Sequence, residues 1–161
     1  MKTFFFESIY NTQEYALSEL SSEPILVISY SQEKGKGTSN RTWLNADQAL
    51  ACSLAVKQED IEVKHTLIPL IAGYVFTEVL NDISLRLKWP NDIVLNNLKV
   101  GGILVEKSEN NICIGMGINY FWEKHGDIYF WGRTWRYIIF GHRWRKHGDK
   151  SFLVTFGKTS R

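Results

Sequence analysis

Residues 83–119 read ISLRLKWPNDIVLNNLKVGGILVEKSENNICIGMGIN, and this stretch decides the fold. It begins with alternating apolar and polar side chains, which is typical of a strand with one buried face. Turn-forming residues at 96–97 and 109–111 separate the later apolar runs, which cover residues 93–95, 100–105 and 112–118. The pattern therefore predicts a meander of antiparallel strands.

The preceding residues predict two helices and at least one further strand. Apolar residues recur near a 3.6-residue period over residues 9–20, with Asn11 or Thr12 placed to cap the helix. Paired apolar residues predict a second helix over 67–80, and the run 25–30 predicts a buried strand. Residues 46–56 suit either a helix or a strand. The expected fold class is α+β, with a mixed, mainly antiparallel sheet backed by the two helices.

Composition limits the kind of protein. The chain has 161 residues, of which 44% are hydrophobic and 22% are charged, as expected for one soluble domain. Two cysteines, Cys52 and Cys113, are too few for a disulfide framework, so we expect small buried residues in a reducing compartment. No apolar stretch is long enough for a signal peptide or a membrane span, and the expected location is the cytoplasm.

Charge divides the chain into two parts. Residues 1–122 hold 10 Lys and Arg against 14 Asp and Glu, whereas residues 123–161 hold 9 against 3. The second part interleaves aromatic and basic residues, so one interpretation is an appendage that binds nucleic acid or a membrane. The interpretation we favour is one folded core over residues 1–122, followed by a divergent or truncated tail over residues 123–161.

Four short clusters contain residue types that suit chemistry. Glycines let a backbone approach an anion, and nearby cations neutralise it. The clusters are KGKGTSNRTW at residues 34–43, KWPND at 88–92, KVGGILVE at 99–106 and GMGIN at 115–119. Taken alone, however, the first cluster is better interpreted as an exposed basic loop, and each of the other three as turn or packing chemistry.

Taken together and in this order, the four clusters resemble the catalytic domain of biotin–protein ligases. The family has KWPND, then K-x-G-G-I-L-V-E and I-G-x-G-I-N, and a glycine-rich basic loop upstream. The resemblance covers about residues 4–122. It implies activation of biotin by ATP, with Mg²⁺ carried by the nucleotide, and transfer of biotin to a lysine of a biotin carboxyl carrier protein. That carrier would belong to acetyl-CoA carboxylase or a related carboxylase.

The resemblance also implies roles for individual residues. Lys99 and Arg41 would stabilise the charge that develops during adenylation, and Lys36 would support them. The residues that match biotin contacts are Asn11, Thr12, Gln13, Gln32, Lys36, Gly37, Thr38, Lys99, Gly101 and Gly102. Those that match contacts to ATP or the adenylate are Lys36, Arg41, Trp43, Asn91 and Asn119. No residue is firmly assigned to a metal. We expect the loop over residues 32–42 to be mobile without ligand.

Two positions depart from the family pattern. Thr38 stands where the family loop has an arginine, and Asn40 stands where glycine is common. Adenylate retention would then depend on Lys34, Lys36 and Arg41. Because the resemblance starts within the first ten residues, DNA binding is not expected, and the sequence leaves a homodimer open. The alternatives are a lipoate- or octanoate-type ligase or transferase, and a truncated core that binds biotin but turns over poorly.

Overall fold

The computed structural model describes residues 1–43, 49–80 and 84–119, and one seven-stranded sheet draws strands from all three ranges. The strands lie in the order β1-β2-β3-β7-β6-β5-β4. Their bounds are β1 Lys2–Phe6, β2 Ile25–Ser29, β3 Ala49–Lys57, β4 Leu85–Lys88, β5 Asp92–Leu95, β6 Leu98–Ser108 and β7 Asn111–Asn119. Only β1 and β2 pair in parallel among these strands. The mixed, mainly antiparallel sheet of the α+β prediction is therefore confirmed.

Strand β1 was not predicted from the sequence. Its residues, KTFFF, do not alternate between polar and apolar side chains. The strand forms because it lies beside β2 in parallel, with Phe4 opposite Val27, and that pairing joins segments separated by a helix. A strand that forms because of a partner distant in the sequence cannot be recognised from the pattern of its own five residues.

Helix α1, Thr12–Glu19, is shorter than the predicted helix over residues 9–20. Asn11 ends the preceding extended chain and caps the helix, because its Oδ1 accepts hydrogen bonds from the backbone N–H groups of Gln13 and Glu14. Ile9 instead forms an isolated bridge with Gln32. The cap therefore places the residues that follow Asn11 beside the start of the basic loop.

Helix α2, Ile68–Leu80, confirms the second predicted helix. It packs through Phe76 against Ile93, Ile103 and Ile118. Helix α1 packs through Ala16 against Val27, Ala55 and Cys113. Because side chains of β7 alternate between faces, Cys113 and Ile118 point to opposite sides of the sheet. The two helices therefore cover different faces.

The ambiguous segment at residues 46–56 contributes strand β3. Ala16 and Ala55 are both fully buried in the same cluster, so the small side chains of β3 allow α1 to lie close to the sheet. The alanines that favoured a helix in the sequence are thus explained by helix-on-sheet packing. None of the described helices has the length and apolar character needed to cross a membrane. The predicted tail, residues 123–161, lies outside the described residues.

The two cysteines give a testable consequence of this packing. Cys113 is fully buried and Cys52 is partly buried, and burial raises the pKa of both thiols to about 12. Because only the thiolate reacts, alkylation by iodoacetamide at pH 8 should be at least ~100-fold slower in the native protein than in urea. The raised pKa also means that native stability should fall as the pH rises above about 9. Equal alkylation rates in the two conditions would contradict the burial.

Candidate active site

A cavity of about 180 Å³ lies between the start of α1, the basic loop and strands β6 and β7. Most of the site residues predicted from the sequence line this cavity, although they come from four separate segments of the chain. These residues are Thr12, Gln13, Gln32, Lys36, Gly37, Thr38, Arg41, Trp43, Asn91, Lys99 and Gly102. The sequence therefore predicted a set of residues that the fold does bring together.

Three nominated residues do not line the cavity. Asn11 caps α1, and its Nδ2 donates to the carbonyl of Lys34 at 2.7 Å, so it ties the loop to the helix. A Cβ on Gly101 would lie 2.5 Å from Ile118 Cδ1, on the face that packs against α2. Asn119 ends β7 opposite Ala49. The prediction grouped Gly101 with Gly102, but successive residues of a strand point to opposite faces.

The basic loop folds as a small hairpin over residues 35–43. The N–H of Trp43 donates to the carbonyl of Gly35 at 2.9 Å, and the N–H of Gly37 donates to that of Arg41 at 2.7 Å. Thr38–Asn40 forms the turn, in which Ser39 has a φ of 58°. Two basic residues of the hairpin, Lys36 and Arg41, line the cavity, and the mobility of the loop without ligand stays a prediction.

Glycines in β6 and β7 form the floor on which the indole of Trp43 lies. Gly102 and Gly117 are direct cross-strand partners. A Cβ on Gly117 would lie 2.7 Å from Trp43 Cε2, and a Cβ on Gly102 would lie 3.3 Å from Cζ3. A Cβ at Gly117 would therefore displace the indole, whereas a Cβ at Gly102 would require it to move by only a few tenths of an ångström. The sequence marked these glycines as sites of close approach, and the approaching group is Trp43.

Each cation that lines the cavity has a partner within the protein. Lys99 Nζ lies 2.5 Å from Asp92 Oδ1 and 5.9 Å from the centre of the Trp43 ring. Arg41 donates to the carbonyl and hydroxyl of Thr38, at 3.2 and 3.0 Å. Lys36 Nζ lies 2.7 Å from Glu14 Oε1. Glu14 is not among the residues that line the cavity. From the sequence, Asp92 was interpreted only as a turn former. Its ion pair with Lys99 was not predicted.

The deep end of the cavity is a buried polar network. Thr12 donates both its N–H and its hydroxyl to Gln32 Oε1, at 2.8 Å each. Because that hydroxyl has one hydrogen, the 2.8 Å contact between Thr12 and Ser53 is donated by Ser53 Oγ. Gln13 Nε2 is buried and has no hydrogen-bond partner among the described residues. The network thus offers a free donor and two hydroxyl oxygens with spare lone pairs.

Ser53 was missed by the sequence interpretation. It is 1% exposed and stands alone among the Ala, Leu and Cys side chains of β3. A single polar residue within the apolar part of a strand, here residues 49–56, is a weak signal, and the sequence held no stronger one for Ser53. Gly115 also belongs to this end, because a Cβ there would lie 2.5 Å from Gln13 Oε1. Gly115 therefore leaves room for the Gln13 amide.

A family model for the biotin/lipoate A/B protein ligase family matches residues 5–119, which hold the whole cavity. The chain belongs to this family. Its curated relatives include the bifunctional ligase/repressor BirA of Escherichia coli, with 34% identity over 68% of this chain and 37% of the relative. The chain spans about a third of the length of the first curated relatives that it matches.

Solved structures of family members have the same fold. The biotin acetyl coenzyme A carboxylase synthetase of Helicobacter pylori, with bound biotinylated ATP, gives a TM-score of 0.67 at 33% identity. The alignment covers 76% of this chain and 62% of that one. The biotin protein ligase of Aquifex aeolicus, in complex with biotin and ATP, gives 0.66 at 26% identity, covering 89% of this chain and 62% of that one. The fold and the family agree with the resemblance seen in the sequence.

Proposed function

We propose that this biotin/lipoate ligase family member activates biotin with ATP to form biotinyl-5'-AMP and then transfers biotin to a lysine of a carrier protein. The polar deep end of the cavity is the observation that carries this proposal. A ureido ring presents N–H donors and a carbonyl acceptor in one rigid group. The hydroxyl oxygens of Thr12 and Ser53 can accept from such donors, and Gln13 Nε2 can donate to such a carbonyl.

The buried position of this network makes the match selective. A buried polar group left without a partner costs about 1–3 kcal/mol, so Gln13 favours a ligand that supplies an acceptor. An alkyl or dithiolane tail of a lipoate-type substrate offers the deep end neither a strong donor nor a strong acceptor. The same three side chains therefore support biotin over the lipoate or octanoate alternative.

The cations that line the rest of the cavity suit the carboxylate of biotin and the phosphates of ATP. In the first step a biotin carboxylate oxygen attacks the α-phosphorus of ATP, and pyrophosphate leaves. In the second step the carrier lysine attacks the acyl carbon, AMP leaves and the amine loses a proton. Neither step needs a nucleophile from the protein, so catalysis comes from positioning and from charge stabilisation. We assign that role to Lys99, with Arg41 and Lys36 in support.

We propose that Mg²⁺ arrives with ATP. Asn91 lines the cavity, and its Nδ2 donates to the carbonyl of Ile103 at 2.8 Å, which turns Oδ1 away from that carbonyl. Amide and carboxylate oxygens, as in Asn91 and Asp92, are ligands that suit Mg²⁺ beside phosphates. Among the described residues, no group of three or more His, Cys, Asp or Glu side chains is placed to hold a metal.

The name of one relative supports a proposal for the carrier. A relative in Paracoccus denitrificans is named a biotin–[acetyl-CoA-carboxylase] ligase, at 27% identity over 58% of this chain. We propose a biotin carboxyl carrier of that class as the acceptor, residues 1–122 as the catalytic core and the cytoplasm as the place of reaction.

Pyrophosphate release tests the proposed substrate. The full chain should release pyrophosphate from ATP when biotin is added, and should not do so with octanoate or lipoate at equal concentration. Release with octanoate or lipoate but not with biotin would replace the proposal with the lipoate-type alternative. Biotin binding without any release would favour the truncated core that turns over poorly.

Arg41→Ala separates the two ligands of the site. Arg41 lies on the hairpin and lines the cavity. Its positive charge suits the binding of phosphate groups. Loss of one charge-assisted hydrogen bond should weaken ATP binding roughly tenfold, with a smaller effect on biotin. Calorimetric titration of each ligand measures the difference. An equal loss for both ligands would instead mean that the hairpin no longer closes on the cavity.

A further inference from the structure

Glu14 and Lys36 form an ion pair at the rim of the cavity. Lys36 lines the cavity, whereas Glu14 does not, and their side chains are 44% and 49% exposed. The 2.7 Å contact therefore draws the ammonium of Lys36 toward a carboxylate outside the ligand space. The carboxylate of Glu14 also raises the pKa of Lys36, because the hydrogen bond between them stabilises the charged ammonium.

The backbone fixes the two partners close together. Glu14 is in the first turn of α1, where a negative charge is favourable for the helix. The start of α1 is tied to the loop because Asn11 Nδ2 donates to the carbonyl of Lys34, and the N–H of Lys34 donates to that of Tyr10. The ion pair is therefore a consequence of how the loop is attached to the helix.

We propose that Glu14 competes with the ligand for Lys36: it holds the ammonium in the free protein and gives it up when a carboxylate or phosphate enters the cavity. Glu14 thereby lowers the affinity of the site for anions and eases the release of anionic products. The inference rests on the proposed function only in that the cavity binds an anion. The lining cations favour anion binding, and Glu14 is a residue that opposes it.

The expected size of the effect follows from exposure. An ion pair between half-exposed side chains contributes little, so removal of the competing carboxylate should tighten anion binding by about two- to fivefold. Salt screens such pairs, and the difference should therefore shrink as the ionic strength rises from about 0.01 M to 1 M. Glu106 also raises the pKa of Lys36, so part of the attraction should persist without Glu14.

Glu14→Gln is the direct test, because glutamine is also suitable in the first turn of a helix. Inorganic pyrophosphate serves as the probe, and calorimetry on the full chain gives its dissociation constant at low and high salt. The variant should bind pyrophosphate about two- to fivefold more tightly at low salt. Glu19→Gln removes the same charge from the exposed end of α1 and should leave binding unchanged. In a Lys36→Gln background, Glu14→Gln should have no effect.

A second measurement needs no ligand. Acylation of Lys36 by an amine reagent, followed by mass spectrometry, should be faster in Glu14→Gln than in the wild type, with Lys34 as the internal reference. Weaker or unchanged pyrophosphate binding, or unchanged acylation of Lys36, would overturn the inference. Tighter pyrophosphate binding without biotin-dependent turnover would leave the inference intact and count against the proposed function.

Discussion

Lys99→Ala is expected to lower biotin-dependent pyrophosphate release by about 10²–10³-fold, the typical cost of losing one preorganised electrostatic contact. Lys99 lines the cavity, and the Asp92 carboxylate and the Trp43 ring hold its ammonium in place. The loss should fall on the rate of the chemical step, because the positive charge is needed most as negative charge builds up at the α-phosphate. Single-turnover measurement of pyrophosphate release gives that rate.

The fold should survive this change, because the side chain of Lys99 is 49% exposed and belongs to none of the buried clusters. Lys107→Ala is the matched control, since Lys107 is an exposed lysine farther along the same strand. It should release pyrophosphate at the wild-type rate. A folded Lys99→Ala protein with normal release would reduce Lys99 to a surface lysine.

Gly117→Ala is expected to weaken biotin binding by roughly 10- to 100-fold. The new methyl group would lie 2.7–3.0 Å from three atoms of the Trp43 ring, so the indole must leave the glycine floor. Overpacking of this kind typically costs about 1–3 kcal/mol, or roughly 5- to 160-fold in affinity when the cost falls on the bound state, and the expected loss lies within that range. Because Trp43 is also the last residue of the hairpin, its displacement should disturb the whole basic loop. Titration calorimetry with biotin measures the change.

Gly101→Ala provides the contrast, since it adds the same methyl group on the opposite face of the sheet. That methyl would lie 2.5 Å from Ile118 Cδ1 and 2.9 Å from the carbonyl oxygen of Gly117. The variant should lower the free energy of unfolding in urea, while protein that remains folded should bind biotin better than Gly117→Ala does. Biotin binding by Gly117→Ala at wild-type affinity would contradict the contact between Trp43 and the glycine floor.

The sequence predicted most of the sheet because the signals there are local. Strands β4 to β7 follow from alternating side chains and from turn residues between neighbouring runs. Strand β1 could not be predicted in the same way, because its partner β2 lies beyond a helix and pairs in parallel. Strand β3 was ambiguous because its alanines reflect packing against α1, which a single strand does not reveal.

The candidate site was predicted through a resemblance, and its details depended on geometry. Side-chain direction decides that Gly102 faces the cavity and Gly101 does not. The contribution of Ser53 depends on a hydrogen bond to Thr12, which is 41 residues away in the chain. Likewise, the pairing of Lys99 with Asp92 follows from the β5–β6 hairpin. Residue types can nominate members of a site, but contacts between distant segments assign their roles.

Transfer of biotin to a carrier is the most direct test of the proposed ligase. The full 161-residue chain would be incubated with biotin, ATP, Mg²⁺ and a biotin carboxyl carrier domain, and the carrier would be analysed by mass spectrometry. We predict one biotinylated lysine on the carrier, formed only when ATP is present and strongly reduced by Lys99→Ala. An unmodified carrier, in a preparation shown by calorimetry to bind both biotin and ATP, would contradict the proposed ligase activity.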